Sequence, residues 1–258
     1  MSKLVRISII TVVFNDKLGL ENTIQSVLSQ SYKNIEYIII DGGSTDGTLD
    51  IIKKYEDRID YWVSEKDKGI YDAMNKGIDV ASGEWINFMN AGDGFYSNDI
   101  LEKLFSSNNI KEDIVFGKSI SYYKKDEVLR YENFETEKLN WYYSKTPNHQ
   151  SIFIRKKIYK NIKYDLCYKY YADTVYLREV FNKSSYYESN QIINKFELGG
   201  KSNYYGDFKT YKFIVKDSIN LHQKKLKPFL SHTLKFILQK VLGKDMYMKF
   251  YIRYMVKR

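Results

Sequence analysis

Several short stretches combine an apolar run with the polar residues that bind ribose, phosphate or a hard cation. Asp41 follows YIII directly and is backed by Gly42 and Gly43. A carboxylate there can accept hydrogen bonds from a nucleoside, and the glycine pair permits close main-chain approach; capping the next turn is the competing use of the same Asp. In SEKDKGIYDAMNKGI, Asp72 and Asn75 stand three apart on one face of an expected helix, placed either to orient ligand hydroxyls or phosphate or to cap and solvate that helix. WINFM runs into Asn90-Ala91-Gly92-Asp93. A carboxylate beside a flexible glycine suits Mg2+ or Mn2+, whose remaining ligands come from phosphates and water.

These residues need elements that bring them to one edge. Val5 to Phe14 reads as a buried strand, followed by a helix capped by Asn15 or Asp16 with Leu20, Ile24, Val27 and Leu28 on one face. Strands are expected at Ile35 to Ile40, Tyr61 to Val63 and Trp85 to Met89, and helices at Leu49 to Tyr55 and Tyr71 to Val80. This alternation over the first 90 residues predicts an α/β fold, a mostly parallel sheet flanked by helices. In such sheets ligands collect beyond the carboxyl ends of the strands, where Asp41, Asp72 and Asp93 fall. Further on, the pattern predicts helices at Asp99 to Phe105 and Asp173 to Phe181, strands at Ile114 to Tyr122 and Gln150 to Ile154, and an aromatic stretch at Trp141 to Tyr143.

The chain has 258 residues, a net charge of +9 and one cysteine, Cys167. One substantial core is affordable at this length, an intrachain disulfide is excluded, and a reducing compartment is expected. Neither a signal peptide nor an apolar run of about 18 residues is evident, so membrane contact is expected to be peripheral. Residues 208–258 carry 13 Lys/Arg and 2 Asp/Glu, a net +11, which leaves −2 for the rest. The basicity belongs to a tail in which Leu230, Leu234, Ile237, Leu238, Val241 and Leu242 form an apolar stripe flanked by Lys235, Lys240 and Lys244. Such a helix either lies on an anionic membrane or packs against the body. With the body near neutral, nucleic acid is not an expected partner.

The ordered series SIITVVFND, EYIIIDGGSTDGT and EKDKGIYDAMNKGIDVASGEWINFMNAGD resembles the family 2 glycosyltransferases, whose fold is the Rossmann-like GT-A type. PNHQSIFIRKKIY and YYADTVYLREVF extend the resemblance to about residue 182. The resemblance implies that a GT-A domain over residues 1–207 binds a nucleotide sugar, UDP-linked, and a glycan or lipid-linked acceptor. It implies that the strand end from Thr11 through Val13 to Asn15, together with Asp41, holds the nucleoside; beside them Gly43, Asp72, Asn75 and Asn90 are expected on the donor. Asp93 falls at the metal position, although the family's Asp-x-Asp reads Asn-Ala-Gly-Asp here and keeps only the last carboxylate. Asp173 matches the catalytic base of an inverting transfer, a position where an Asp also suits the helix dipole. His149 and Gln150 match a pair near the acceptor cleft. The implied pathway is bacterial surface polysaccharide or lipopolysaccharide assembly, on the cytoplasmic face of the plasma membrane. Two rival readings are a nucleotidyltransferase, for which no Gly-rich basic phosphate loop follows the first strand, and a non-catalytic, membrane-associated nucleotide-sugar binder.

Overall fold

The computed structural model describes residues 4–106, 110–123, 127–132, 147–198, 207–221 and 226–256. The aromatic stretch at 141–143 lies outside them. The first strand, β1 (Ile7–Val13), is buried along its whole length. Alternate side chains enter opposite layers, as the two-residue period of a strand requires. Ile7, Ile9 and Val13 pack under α1 (Lys17–Leu28) and α2 (Thr48–Lys54), whereas Ile10 and Val12 pack under α3 (Ile70–Val80). Each such side chain contributes roughly 1.5–3 kcal/mol by leaving water. Gly77 lets α3 lie close to the sheet, because a Cβ there would stand 2.5 Å from Ile10 Cγ2.

The parallel half is β3-β2-β1-β4, with β2 spanning Ile35–Asp41, β3 Tyr61–Ser64 and β4 Trp85–Phe88. Register places Val13 beside Asp41 and Asp41 beside Ser64, so these strands end in one row. The order reverses between β1 and β4, and the crevice at such a reversal is where α/β sheets bind ligands. Past β4 the sheet turns mixed. There β5 is Gly94–Phe95, β6 Ile114–Tyr123, β7 Glu127–Glu132, β8 Ile152–Arg155 and β9 Tyr186–Glu197. β8 joins β4 and β6 antiparallel, and β9 runs parallel to β6. The sequence pattern left β5, β7 and β9 unassigned. In place of a strand from Gln150, a 3-10 turn spans His149–Ser151, because Asn148 Oδ1 accepts the Gln150 N–H at 3.0 Å and delays the strand to Ile152.

The remaining body helices are α4 (Ile100–Phe105), α5 (Lys156–Tyr159) and α6 (Ala172–Lys183). The tail forms α7 (Phe208–Leu221) and α8 (Leu226–Val256), the latter leaving helical geometry at Gly243. Tyr211 of α7 stacks on Phe236 of α8 at 4.5 Å. Asp217 of α7 is buried and accepts the backbone N–H groups of Lys169 and Tyr170 at 2.6 and 2.7 Å, which fastens the tail to the segment that leads into α6.

Candidate active site

Beyond β2, the Asp41 carboxylate organises its own loop. Fully buried, it accepts the N–H groups of Gly43 and Ser44 at 3.2 and 3.0 Å and the hydroxyls of Ser44 and Ser64 at 2.5 and 2.6 Å. Gly43 takes φ +82°, a left-handed conformation suited to glycine. Asn15, itself at φ 52°, clasps this loop to the end of β1. Its N–H donates to Ser44 Oγ at 2.7 Å and its Oδ1 accepts the Thr45 N–H at 2.8 Å. The helix cap is therefore Asp16, whose Oδ1 accepts the Gly19 N–H at 2.9 Å. Thr11 donates its hydroxyl to Met89 O at 2.8 Å and Val13 is buried, so both side chains face the core. What β1 shows to solvent at this edge is Phe14, 55% exposed and beside Gly42. Sequence reasoning passed over that residue; an aromatic ending a buried strand was the available signal.

On α3 the structure divides the expected pair. Asp72 accepts the Lys68 N–H at 3.0 Å and closes the turn into the helix. Both amide atoms of Asn75 are engaged by the backbone of Tyr164, donating to its carbonyl at 2.9 Å and accepting its N–H at 3.0 Å. Spacing placed it on one helical face with Asp72, and the tertiary contact draws it instead into a staple across 89 residues.

Beyond β4, Gly92 at φ +91° turns the chain so that Asp93 faces inward. Thr23 of α1 pins this turn, accepting the Gly92 N–H at 3.1 Å and donating to Asp93 O at 2.6 Å. Gln150 Nε2 donates to Asp93 Oδ2 at 2.5 Å. Burial pushes the Asp93 carboxyl up to about 7; the Gln150 bond opposes this and the negative charge of Asp16 adds to it. A cation bound there would reverse that balance. Among the described residues no group of three or more His, Cys, Asp or Glu is placed to hold a metal. The donors that are present are hard oxygens, however. Asn90 Oδ1 and Gln150 Oε1 are buried with no hydrogen-bond partner, and buried polar atoms are rarely left so. One carboxylate with amide oxygens suits Mg2+ or Mn2+ if phosphate completes the shell.

The His149–Ser151 turn connects this region to α6. His149 Nε2 faces Asn90 Nδ2 at 3.0 Å, and Nδ1 lies 3.6 Å from Asp173 Oδ2. Asp173 Oδ1 accepts the Tyr71 hydroxyl at 3.1 Å and the Thr174 N–H at 2.8 Å. Burial pushes the His149 imidazole below its ordinary range, with the Asp173 charge working against that, so the ring is neutral near pH 7. Asp93, Gln150, Asn90, His149 and Asp173 thus form one continuous assembly. Asp41, Asn15 and Gly43 form a second, across the end of β1. Tyr71 was not anticipated; it lies next to Asp72 and differs from the other tyrosines only through its tertiary partner.

Residues 8–184 match the model of the family described as Glycosyl transferase family 2. An uncharacterized glycosyltransferase of Mycobacterium tuberculosis is 45% identical over 96 residues, covering 37% of this chain and 37% of that protein. A PGL/p-HBAD biosynthesis glycosyltransferase of Mycobacterium bovis is 30% identical over 211 residues, covering 76% of this chain and 78% of that protein. Among solved structures, S. aureus TarS in complex with UDP superposes with a TM-score of 0.64 at 15% identity, covering 91% of this chain and 71% of that one. A mannosyltransferase from Pyrobaculum calidifontis in complex with GDP-Man and Mn2+ gives a TM-score of 0.61 at 12% identity, covering 96% and 74%. At these identities the structural likeness is one of fold, and the fold shared is the GT-A type.

Proposed function

The chain belongs to glycosyl transferase family 2 and is a glycosyltransferase, and from that premise we propose that it transfers a sugar with inversion from a UDP-linked donor to a hydroxyl of a glycan or lipid-linked acceptor. The proposal places the reaction in bacterial surface polysaccharide assembly, on the cytoplasmic side of the membrane. The observation that supports it is the line of contacts from Asp93 through Gln150 and His149 to Asp173. In this reading Asp93 serves the phosphate side and Asp173 the acceptor side of that turn.

In this reading the acceptor hydroxyl passes its proton to Asp173 as its oxygen attacks the anomeric carbon opposite the diphosphate. The bond from that carbon to the diphosphate oxygen breaks, and the diphosphate leaves with the electron pair. A positioned base contributes on the order of 10²–10⁴ in rate. A divalent cation, when bound, neutralises charge on the departing diphosphate. Asp93 would hold it, with the amide oxygens of Asn90 and Gln150 nearest. The loop built by Asp41, Asn15 and Gly43 would hold the nucleoside through its main chain, and Phe14 offers a flat apolar face to the base. Nucleotide-sugar complexes of the same fold, UDP-GlcNAc on TarS and GDP-Man with Mn2+ on the mannosyltransferase, favour this class of donor.

The test is release of nucleoside diphosphate by the purified chain from UDP- and GDP-linked sugars, with and without Mn2+, together with calorimetric binding of UDP. Asp93→Asn is expected to abolish the metal dependence of UDP binding while the protein stays folded. Equal Mn2+-dependent affinity in the two proteins would remove Asp93 from the metal position.

A further inference from the structure

The tail helices use one face of each helix for packing and leave another bare, and the two bare faces differ in chemistry. On α7 the inward residues Ile214, Val215, Asp217 and Ser218 are buried, whereas Lys209, Lys212 and Lys216 are exposed. These lysines are spaced at i, i+3 and i+7, so they form one stripe. On α8, Gln239 and Tyr247 are buried, and Leu234, Ile237 and Val241 are 59%, 51% and 75% exposed at the same spacing. Lys240 is exposed in the same stretch, and beyond the break at Gly243 so are Lys244 and Met246. A helix that packs through one face and still presents three large aliphatic side chains on another is covering something other than the body.

We propose that α7 and α8 form a surface that docks on an anionic lipid bilayer, with Leu234, Ile237 and Val241 entering the boundary between headgroups and acyl chains and the lysines meeting the headgroup charge. Two observations favour this occupant. The net +11 on residues 208–258 complements anionic lipid, whereas a second copy would bring a like charge against it. Among the described residues no helix is long and apolar enough to cross a membrane, so the apolar stripe serves shallow insertion. Leu238 and Leu242 are half-buried, and the side chain of Leu230 lies outside the described residues. The expected stripe is therefore split between packing and exposure. The proposal stands independently of the sugar-transfer reading, because it concerns a surface remote in sequence from the site.

The experiment is cosedimentation of the full chain with phosphatidylcholine vesicles with and without phosphatidylglycerol. Wild type is expected to pellet with the anionic vesicles only, and less so as salt screens the surface. A variant carrying Leu234→Glu, Ile237→Glu and Val241→Glu, and a second carrying Lys209→Glu, Lys212→Glu and Lys216→Glu, are each expected to lose about tenfold or more in partitioning. Both sets are exposed, so thermal melting close to wild type is expected and would confirm that the loss belongs to the surface. Wild-type partitioning in both variants would overturn the proposal. So would a dimer in lipid-free sedimentation that the apolar variant abolishes, or duplex DNA binding that only the lysine variant abolishes. Release of nucleoside diphosphate from a soluble donor is expected to be unchanged in both variants, so failure of docking and failure of the transfer reading remain separate results.

Discussion

His149 stands between Asn90 and Asp173, its Nε2 3.0 Å from the Asn90 amide nitrogen and its Nδ1 3.6 Å from Asp173 Oδ2. An amide nitrogen only donates, so Nε2 accepts and the ring proton sits on Nδ1, facing the carboxylate. A neutral imidazole in that tautomer turns its N–H toward Asp173 and leaves the proposed role of proton acceptor to the carboxylate.

Replacing the proposed base and replacing the histidine beside it are therefore expected to give different kinetics. Asp173→Asn should abolish transfer while UDP binding persists, since in the proposed reading Asp173 meets the acceptor and not the nucleotide. His149→Ala should leave a residual rate, with kcat lower by up to about 10² through misplacement of the carboxylate and KM for the donor little changed. Steady-state kinetics and UDP calorimetry on both proteins check this. If His149→Ala weakens UDP binding instead, the residue is a phosphate contact.

The tail also holds the segment that leads into α6. Asp217 holds the N–H groups of Lys169 and Tyr170, four and three residues before Asp173. Asp217→Ala removes the acceptor of both partly buried N–H groups, at a cost of about 1 kcal/mol each. The variant should melt several degrees lower and lose kcat on any acceptor, soluble or lipid-linked, with UDP affinity retained. Normal kcat at temperatures where the variant is folded would show that the tail braces the fold and not the base.

A third prediction concerns acid stability. Glu36 is buried at the opposite end of the sheet. Burial is the largest single influence and acts to raise its pKa, yet hydrogen bonds from the hydroxyls of Ser8 and Ser82 and the N–H groups of Ser82 and Gly83 together outweigh it. The carboxyl is held below its ordinary range. Its contribution to stability is therefore complete above the unfolded value of about 4.3 and is lost as pH falls through the lower folded value. Urea unfolding between about pH 7 and pH 3 should show a shallower acid decline for Glu36→Gln, from a lower starting stability. Parallel curves would place the acid sensitivity elsewhere.

Much of the parallel half was legible because its signals are local. A continuous apolar run marks a strand covered on both faces, and β1, β2 and β4 lie close to where such runs begin and end. The polar residues after those runs could be placed at the carboxyl edge for the same reason. β9 was not legible. Its polar and apolar residues follow neither period cleanly, and its pairing with β6 crosses about 70 residues of chain, as in Ile114 with Tyr186.

The amino-acid order by itself determined the layers, the edge at which the site lies and the family. Hydrophobic periodicity reports which face of an element is buried, and the motifs sit at fixed offsets from the elements. Only the tertiary structure decided what each polar side chain does. Asn75 and Tyr164 are joined across 89 residues, Asn90 and His149 across 59, and Asp217 and Tyr170 across 47. A hydrogen bond depends on the distance and angle between two particular atoms, and no period within either segment encodes which distant segment will supply the partner.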